Sequence, residues 1–143
     1  MNPLKRNPVA LVLAVLAAAG LAYDAKVHLH LAKGYDSIGH SITQGGLFRV
    51  EAVVAILLAV ALLLSDDWRV WAGAGMTGLA GVGAVVLYRY VDVGKIGPVP
   101  NMYEPVWFPE KTHSAYAEGG VALVWIVREA LRYTRAKATA LTS

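Results

Sequence analysis

The sequence predicts an all-α protein, an integral membrane four-helix bundle with both termini in the cytoplasm. Its composition is 57% hydrophobic and 16% charged, and its mean hydropathy of +0.49 lies outside the usual range of soluble domains. A chain of 143 residues has room for about four spans of roughly 20 residues joined by short connections. We therefore expect one multi-pass domain, residues 1–143, in the cell membrane, with spans at about 9–33, 47–65, 70–93 and 112–133.

Charge and cysteine content exclude several classes of function. The formal charge of +3 is grouped beside apolar segments, where it sets orientation and contacts anionic lipid, so we exclude nucleic acid as a partner. The absence of cysteine excludes disulfides, a thiolate nucleophile, cysteine-ligated zinc and iron–sulfur clusters.

The first span has an alternative interpretation as a cleaved signal peptide. Lys5 and Arg6 precede the apolar residues 9–22, and the small residues 17–19 resemble a cleavage site. The helical pattern continues through residues 23–33, and the later spans need a first partner, so we favour a retained span.

The second span carries an acid close to its start. After Glu51 no charge appears until Asp66, and Ala55 and Ala59 follow Glu51 at helical spacing. A stripe of small side chains allows another helix to approach closely. Glu51 is therefore predicted to point into the bundle.

The third span follows a tight turn at residues 66–69. Small residues recur every four positions at Gly73, Thr77 and Gly81, with Ala74 and Gly78 beside them, which predicts close helix contact. A phosphate-binding loop is excluded, because there is no GK[ST] motif and no preceding strand.

The fourth span follows a proline-rich loop. Residues 94–108 are predicted to fold back onto the end of the bundle with their aromatic side chains at the headgroup level. Pro109 can begin the last helix, whose span must include Glu118. The basic residues beyond it are predicted to form a lipid-facing anchor: Arg128, Arg132, Arg135 and Lys137.

Orientation follows from the lysine and arginine residues outside the spans. Four lie on one side: Lys33, Arg49, Lys95 and Lys111. Seven lie on the other: Lys5, Arg6, Arg69, Arg128, Arg132, Arg135 and Lys137. This excess favours cytoplasmic termini and places both longer loops outside.

Ionisable residues are concentrated near the outward ends of the predicted spans. Ionisable groups at mid-bilayer cost about 2.5 to 3.5 kcal/mol each on insertion scales, so they should face protein or water and find partners. We expect a ligand site built from Asp24, His28, Glu51, Arg89, Asp92 and Glu118.

A metal ion is one candidate ligand. Asp24 and His28 are four residues apart and share a helix face, whereas His30 lies on the opposite side. With Glu51 or Glu118 they would offer one imidazole and two or three carboxylates, suited to zinc, manganese or ferrous iron. The favoured alternative is an ionic network in which one of two arginines neutralises these acids: Arg49 or Arg89.

Other ligands and activities stay open at this stage. A b-type haem on His28 and His113 is the least favoured cofactor. A quinone or lipid pocket could use three tyrosines, which an interfacial aromatic belt explains equally well: Tyr88, Tyr90 and Tyr116. Buried acids could also serve proton-coupled transport or acid–base catalysis. No nucleophile is evident, so no catalytic residue is assigned and an enzyme is not favoured.

Three segments carry a resemblance to known proteins. VHLHLA at 27–32, GGLFRVEAVVAILLAVALLL at 45–64 and Glu118 resemble small, uncharacterised four-span membrane proteins of actinobacterial type. Residues 51–72 are also similar to DoxX-like proteins. The DoxX resemblance implies a four-helix membrane bundle and, in some relatives, association with redox partners. Those partners often use cysteine chemistry, which this chain lacks, so no catalytic residue is carried over.

Three functions compete on this basis. The leading hypothesis is a non-catalytic accessory or stabilising subunit of a larger membrane complex, supported by the small size and the small-residue packing faces. The alternative is an outer-leaflet protein that binds a metal ion, a quinone or a lipid head group. A more distant one is a small transporter, which would need a homo-oligomer to form a pathway.

Overall fold

The computed structural model describes residues 7–142, which form four helices and no β-strand. Their bounds are α1 Pro8–Ala32, α2 Gln44–Leu64, α3 Trp68–Tyr90 and α4 Pro109–Thr142, with a 3-10 turn at Lys33–Tyr35 after α1. Lys5 and Arg6, on which the signal-peptide alternative and part of the orientation rest, lie outside the described residues.

Side-chain caps define the starts of the first three helices. Asn7, Thr43 and Asp67 precede α1, α2 and α3, and each accepts a hydrogen bond from a backbone N–H two or three residues further on. These caps satisfy N–H groups that have no partner within the helix. Because of them, α2 and α3 begin two or three residues before the predicted spans.

Three helices are long and apolar enough to cross a membrane, and α4 is not among them. α1 with its 3-10 turn, α2 and α3 meet this criterion. In α4 the uninterrupted apolar stretch runs only from Gly119 to Val127, between Glu118 and Arg128. A fourth span that includes Glu118 therefore stays a prediction.

The helices pack around a seam of small side chains. α1 contacts α2 and α4, and α4 also contacts α3, whereas α2 and α3 touch each other little although a short turn joins them. Ala55 and Ala59 are buried, as the stripe after Glu51 predicts. Small residues let helix backbones approach closely without help from polar contacts. The buried alanines are Ala14, Ala17, Ala18, Ala25, Ala32, Ala52, Ala55, Ala59, Ala74 and Ala122.

The contact between α3 and α4 uses two of the predicted glycines, Gly78 and Gly81, together with Gly75. A Cβ added at Gly75, Gly78 or Gly81 would overlap atoms of α4, so these glycines set the approach of the two helices. Gly73 lies against α2 instead. The prediction of close helix contact is thus confirmed at Gly78 and Gly81, whereas Gly73 contacts another helix, because the contact with α4 recurs at every third residue from Gly75 to Gly81.

The end of the bundle at the α2–α3 turn is closed by a buried arginine. Arg128 is 4% exposed, and its Nη2 donates to Asp66 Oδ1 at 3.0 Å and to the Asp66 carbonyl at 3.2 Å. Its guanidinium also pairs with Glu129 and lies 4.5 Å from the centre of the Trp71 ring. The prediction that Arg128 belongs to a lipid-facing anchor is therefore wrong. The other basic residues of that segment are exposed: Arg132, Arg135 and Lys137.

Candidate functional site

A cavity of about 320 Å³ lies at the other end of the bundle, where α2 and α3 diverge. All four helices contribute to its wall, which is mostly apolar. Ala80 of α3 lines the cavity and is also exposed. Its main apolar side chains are Leu31, Leu47, Phe48, Val85, Met102 and Phe108.

The connection between α3 and α4 covers this end of the cavity, with Glu104 as its anchor. The Glu104 carboxylate accepts hydrogen bonds from the Tyr35 hydroxyl at 2.8 and 3.1 Å, and its N–H donates to the Tyr88 carbonyl at 2.9 Å. Its carbonyl accepts a hydrogen bond from Lys111 Nζ at 2.7 Å. Burial lowers the pKa of Lys111, which the nearby carboxylate partly offsets. The connection thus folds back onto the bundle, as the sequence predicts.

Beneath the cavity, a histidine and two acids from α1 and α4 meet. His28 Nδ1 lies 3.2 Å from Asp24 Oδ1 and 3.1 Å from the Asp24 carbonyl oxygen. The Ser114 hydroxyl donates to Asp24 Oδ1 at 2.6 Å. One donor atom each from Asp24, His28 and Glu118 lies within 4.8 Å of the others. Asp24 and His28 are four residues apart on α1, and Ser114 and Glu118 are four residues apart on α4. This spacing places each pair on one helix face, where α1 and α4 pack together.

Three carboxylates of this region have oxygens without a hydrogen-bond partner. Asp24 Oδ2, Glu118 Oε2 and Glu51 Oε1 are buried and unpartnered. If ionised, Asp24 and Glu118 would repel by about 3.5 kcal/mol at 4.8 Å in an effective dielectric of about 20. Buried charges without partners are costly, so these carboxylates need a cation, bound protons or donors from a ligand.

The arginines predicted to neutralise these acids lie elsewhere. Arg49 forms two hydrogen bonds with exposed Asp36, at 2.5 and 2.8 Å, and these bonds lower the pKa of Asp36. The Arg89 guanidinium lies 4.9 Å from the centre of the Tyr90 ring, and its Nε is buried without a partner. Among residues 7–142 neither arginine forms a salt bridge with Asp24, Glu51 or Glu118, so the predicted charge pairing is not found.

Four of the six candidate residues come together. Asp24, His28 and Glu118 form the cluster, and Glu51 lines the cavity beside it. Asp92 does not join them: it is exposed, and its Oδ1 accepts hydrogen bonds from the Gly94 N–H and the Asn101 side chain, because α3 ends before it. Arg89 does not line the cavity either.

The histidine pair considered for haem is not brought to one site. His113 Nδ1 lies 3.1 Å from the Tyr23 hydroxyl on an exposed surface of α1 and α4, whereas His28 lines the cavity. His30 is exposed, as expected for the opposite face of α1. Of the three tyrosines considered for a quinone or lipid pocket, Tyr88 lines the cavity, and the other two are exposed: Tyr90 and Tyr116.

Sequence reasoning missed several residues of the site. Ser114, which donates to Asp24, precedes Glu118 by four residues and therefore shares its helix face. That spacing is the signal that could have identified it. Tyr35, Glu104 and Lys111 had no comparable signal, since their contacts depend on how a long connection folds.

No family model, curated protein or solved structure matches this chain at a significant level. The resemblance to DoxX-like proteins therefore stays a prediction.

Proposed function

We propose that this chain is a membrane-embedded binding protein for an amphiphile with an apolar body and a head that carries hydroxyl or amine donors. A single observation carries the proposal: a mostly apolar cavity contains a buried carboxylate oxygen without a partner, Glu51 Oε1. Mostly apolar cavities with a few converging polar groups are the usual form of small-molecule sites.

The chemistry of the cavity favours donors on the ligand. Glu51 lines it and has an unpartnered acceptor oxygen, Oε1. Lys111 also lines it, but its ammonium already donates to the Glu104 carbonyl. A quinol therefore suits the site better than a quinone, and an amine or polyol head group suits it better than an anionic phosphate.

The proposed topology is the predicted one, a four-span bundle with cytoplasmic termini. α4 packs along both α1 and α3, which supports its crossing with them. The cavity then lies in the outer leaflet. Because the chain has no cysteine, a single introduced cysteine shows on which side of the membrane its position lies. Lys95→Cys should react with an impermeant maleimide from outside, and Ala136→Cys should not. The reverse labelling would overturn this orientation.

A cavity-filling substitution tests the binding proposal. Ala84 lines the cavity, whereas Val86 on the same helix is exposed on the outside, so Ala84→Trp and Val86→Trp form a matched pair. We expect mass spectrometry of gently purified protein to detect a bound amphiphile in wild type and Val86→Trp. Its amount should fall at least tenfold in Ala84→Trp. Equal amounts in both variants, or none in wild type, would refute the proposal.

Glu51→Gln tests the proposed role of the carboxylate. Glu110→Gln makes the same chemical change at a residue that does not line the cavity. Glu51→Gln should weaken binding of an amphiphile with an amine head in detergent, and Glu110→Gln should not. Equal binding by both variants would remove Glu51 from the site.

An accessory subunit is the second candidate, supported by the outer surface of the α3–α4 connection. Tyr103, Val106 and Trp107 are exposed there, outside the cavity lining. Exposed aromatic side chains are enriched where membrane proteins meet partners or the interface. A partner that co-purifies in stoichiometric amount with wild type, and is lost with Trp107→Ser but kept with Ala84→Trp, would favour this function.

A further inference from the structure

We propose that Asp24, His28 and Glu118 bind one divalent transition-metal ion, of the zinc, manganese(II) or iron(II) class, beneath the amphiphile cavity. This inference goes beyond the proposed binding function and does not depend on it. Asp24 does not line the cavity, whereas His28 and Glu118 do, so the proposed ion lies at the wall of the cavity and is held from behind by Asp24.

The donor atoms already converge. A carboxylate oxygen from each acid and a ring nitrogen of His28 lie within 4.8 Å of one another, although they come from two helices. His28 Nδ1 lies near two Asp24 oxygens. An ion bound at Nδ1 would take the place of the proton that this nitrogen shares with them.

Unpartnered oxygens provide an independent second observation. Asp24 is 1% exposed and Glu118 3% exposed, yet Asp24 Oδ2 and Glu118 Oε2 have no hydrogen-bond partner. The Ser114 hydroxyl holds the other oxygen of Asp24, which orients the carboxylate. Side chains buried to this degree normally satisfy their polar atoms, so these two oxygens are free to act as ligands of a cation.

Charge balance favours a divalent ion. Two carboxylates meet here, and neither forms a salt bridge with a lysine or arginine among residues 7–142. An ion of charge +2 neutralises both. One imidazole with two carboxylates suits zinc, manganese or ferrous iron better than calcium or magnesium, which prefer oxygen ligands alone.

Packing holds one ligand in place. The Glu118 carboxylate lies directly against Gly81 of α3, and a Cβ there would overlap its Oε1 and Cδ atoms. Gly83, two residues further along α3, has open space in the corresponding position. Gly81 therefore acts as a positioning residue, and the two glycines provide a matched pair of variants.

The test uses the full chain in detergent after treatment with a chelator. Equilibrium dialysis against zinc or manganese, followed by elemental analysis, should find one ion per chain in wild type. Asp24→Asn and Glu118→Gln should weaken binding at least 100-fold, whereas Asp92→Asn, the same change outside the cluster, should not. Absence of a stoichiometric ion in wild type at micromolar metal, or unchanged affinity in both ligand variants, would overturn the proposal.

A second pair keeps the proposal testable if the ligand variants fold poorly. Gly81→Ala should weaken zinc binding about 10- to 100-fold by shifting the Glu118 carboxylate, as changes around metal ligands typically do. Gly83→Ala should bind zinc as tightly as wild type does. Equal zinc affinities of Gly81→Ala and Gly83→Ala would contradict the proposed site. Ala84→Trp should retain the ion even when it loses the amphiphile, so failure of one proposal is distinguishable from failure of the other.

Discussion

Replacing Gly75 by alanine should destabilise the protein, although the same replacement at Gly83 should stabilise it. Both glycines lie within α3, where alanine is favoured over glycine by about 1 kcal/mol through helix propensity. A Cβ at Gly75 would overlap three atoms of the Trp125 ring on α4, whereas a Cβ at Gly83 meets nothing within 4 Å. The difference between the two variants therefore isolates the packing of α3 against α4.

The magnitude follows from these opposing effects. Inserting a methyl group into a well-packed contact costs about 1 to 3 kcal/mol, so Gly75→Ala should change stability by between zero and about −2 kcal/mol after the propensity gain of about 1 kcal/mol. Gly83→Ala should gain about 1 kcal/mol. The two variants should thus differ by about 1 to 3 kcal/mol in free energy of unfolding.

Unfolding of the full chain in mixed micelles, followed by circular dichroism as the denaturing detergent is increased, measures this difference. Gly120→Ala provides a further control, because Gly120 also has open space around its Cβ position. If Gly75→Ala were as stable as Gly83→Ala, the close approach of α3 and α4 described above would be refuted, and with it the support that Gly81 gives to Glu118.

Three further predictions concern contacts at the two ends of the bundle. Arg128→Ala should lower the free energy of unfolding by about 1.5 to 3 kcal/mol, because it removes charged hydrogen bonds from a buried guanidinium to the partly exposed Asp66. Tyr35→Phe removes a hydrogen bond to a carboxylate in the α3–α4 connection and should cost about 1.5 to 3 kcal/mol. It should also increase proteolysis of that connection. Hydrogen bonds from Arg49 lower the pKa of Asp36, so this pair stabilises the fold above the ordinary aspartate pKa, and that contribution disappears as the pH falls through the lowered pKa. Asp36→Asn should therefore flatten the loss of thermal stability measured as the pH falls through this range.

Each of these predictions has a matched control or a clear contrary result. Arg132→Ala should change stability little, since Arg132 is exposed and its contact with Glu129 is 3.9 Å long. Unchanged proteolysis in Tyr35→Phe would show that the connection is held by other contacts. If Asp36→Asn and wild type lose thermal stability identically as the pH falls, the Asp36–Arg49 pair does not contribute to stability.

The helices and their buried faces were largely predictable from the sequence. Glu51, Ala55 and Ala59 follow the period of an α-helix, and that period alone places the two alanines on one face. Helix ends were less accurate, because caps such as Thr43 act through side-chain hydrogen bonds that hydropathy does not report. The glycine face of α3 was predicted only in part, with Gly78 and Gly81 but without Gly75, since several small residues alternate there and only the partner helix decides which of them is covered.

The candidate site was predictable in its residue types and less so in its membership. Asp24 and His28 share a face through local spacing, and Glu118 joins them because α1 and α4 pack together. Asp92 and Arg89 were included in the predicted site because they lie at the same end of the bundle as the other candidates. That criterion does not consider the direction in which each side chain points. A side chain at a helix end enters a site only if its face is turned inward.

The sequence by itself determined the apolar helices, their approximate limits and the presence of ionisable groups near one end of them, because these properties depend on local composition and period. Only the tertiary structure decided which groups pair. It paired Arg128 with Asp66 and Arg49 with Asp36, and among residues 7–142 it left Asp24, Glu51 and Glu118 without a lysine or arginine partner. The physical reason is that charge pairing depends on distances of a few ångströms between helices, which are set by packing and not by position along the chain.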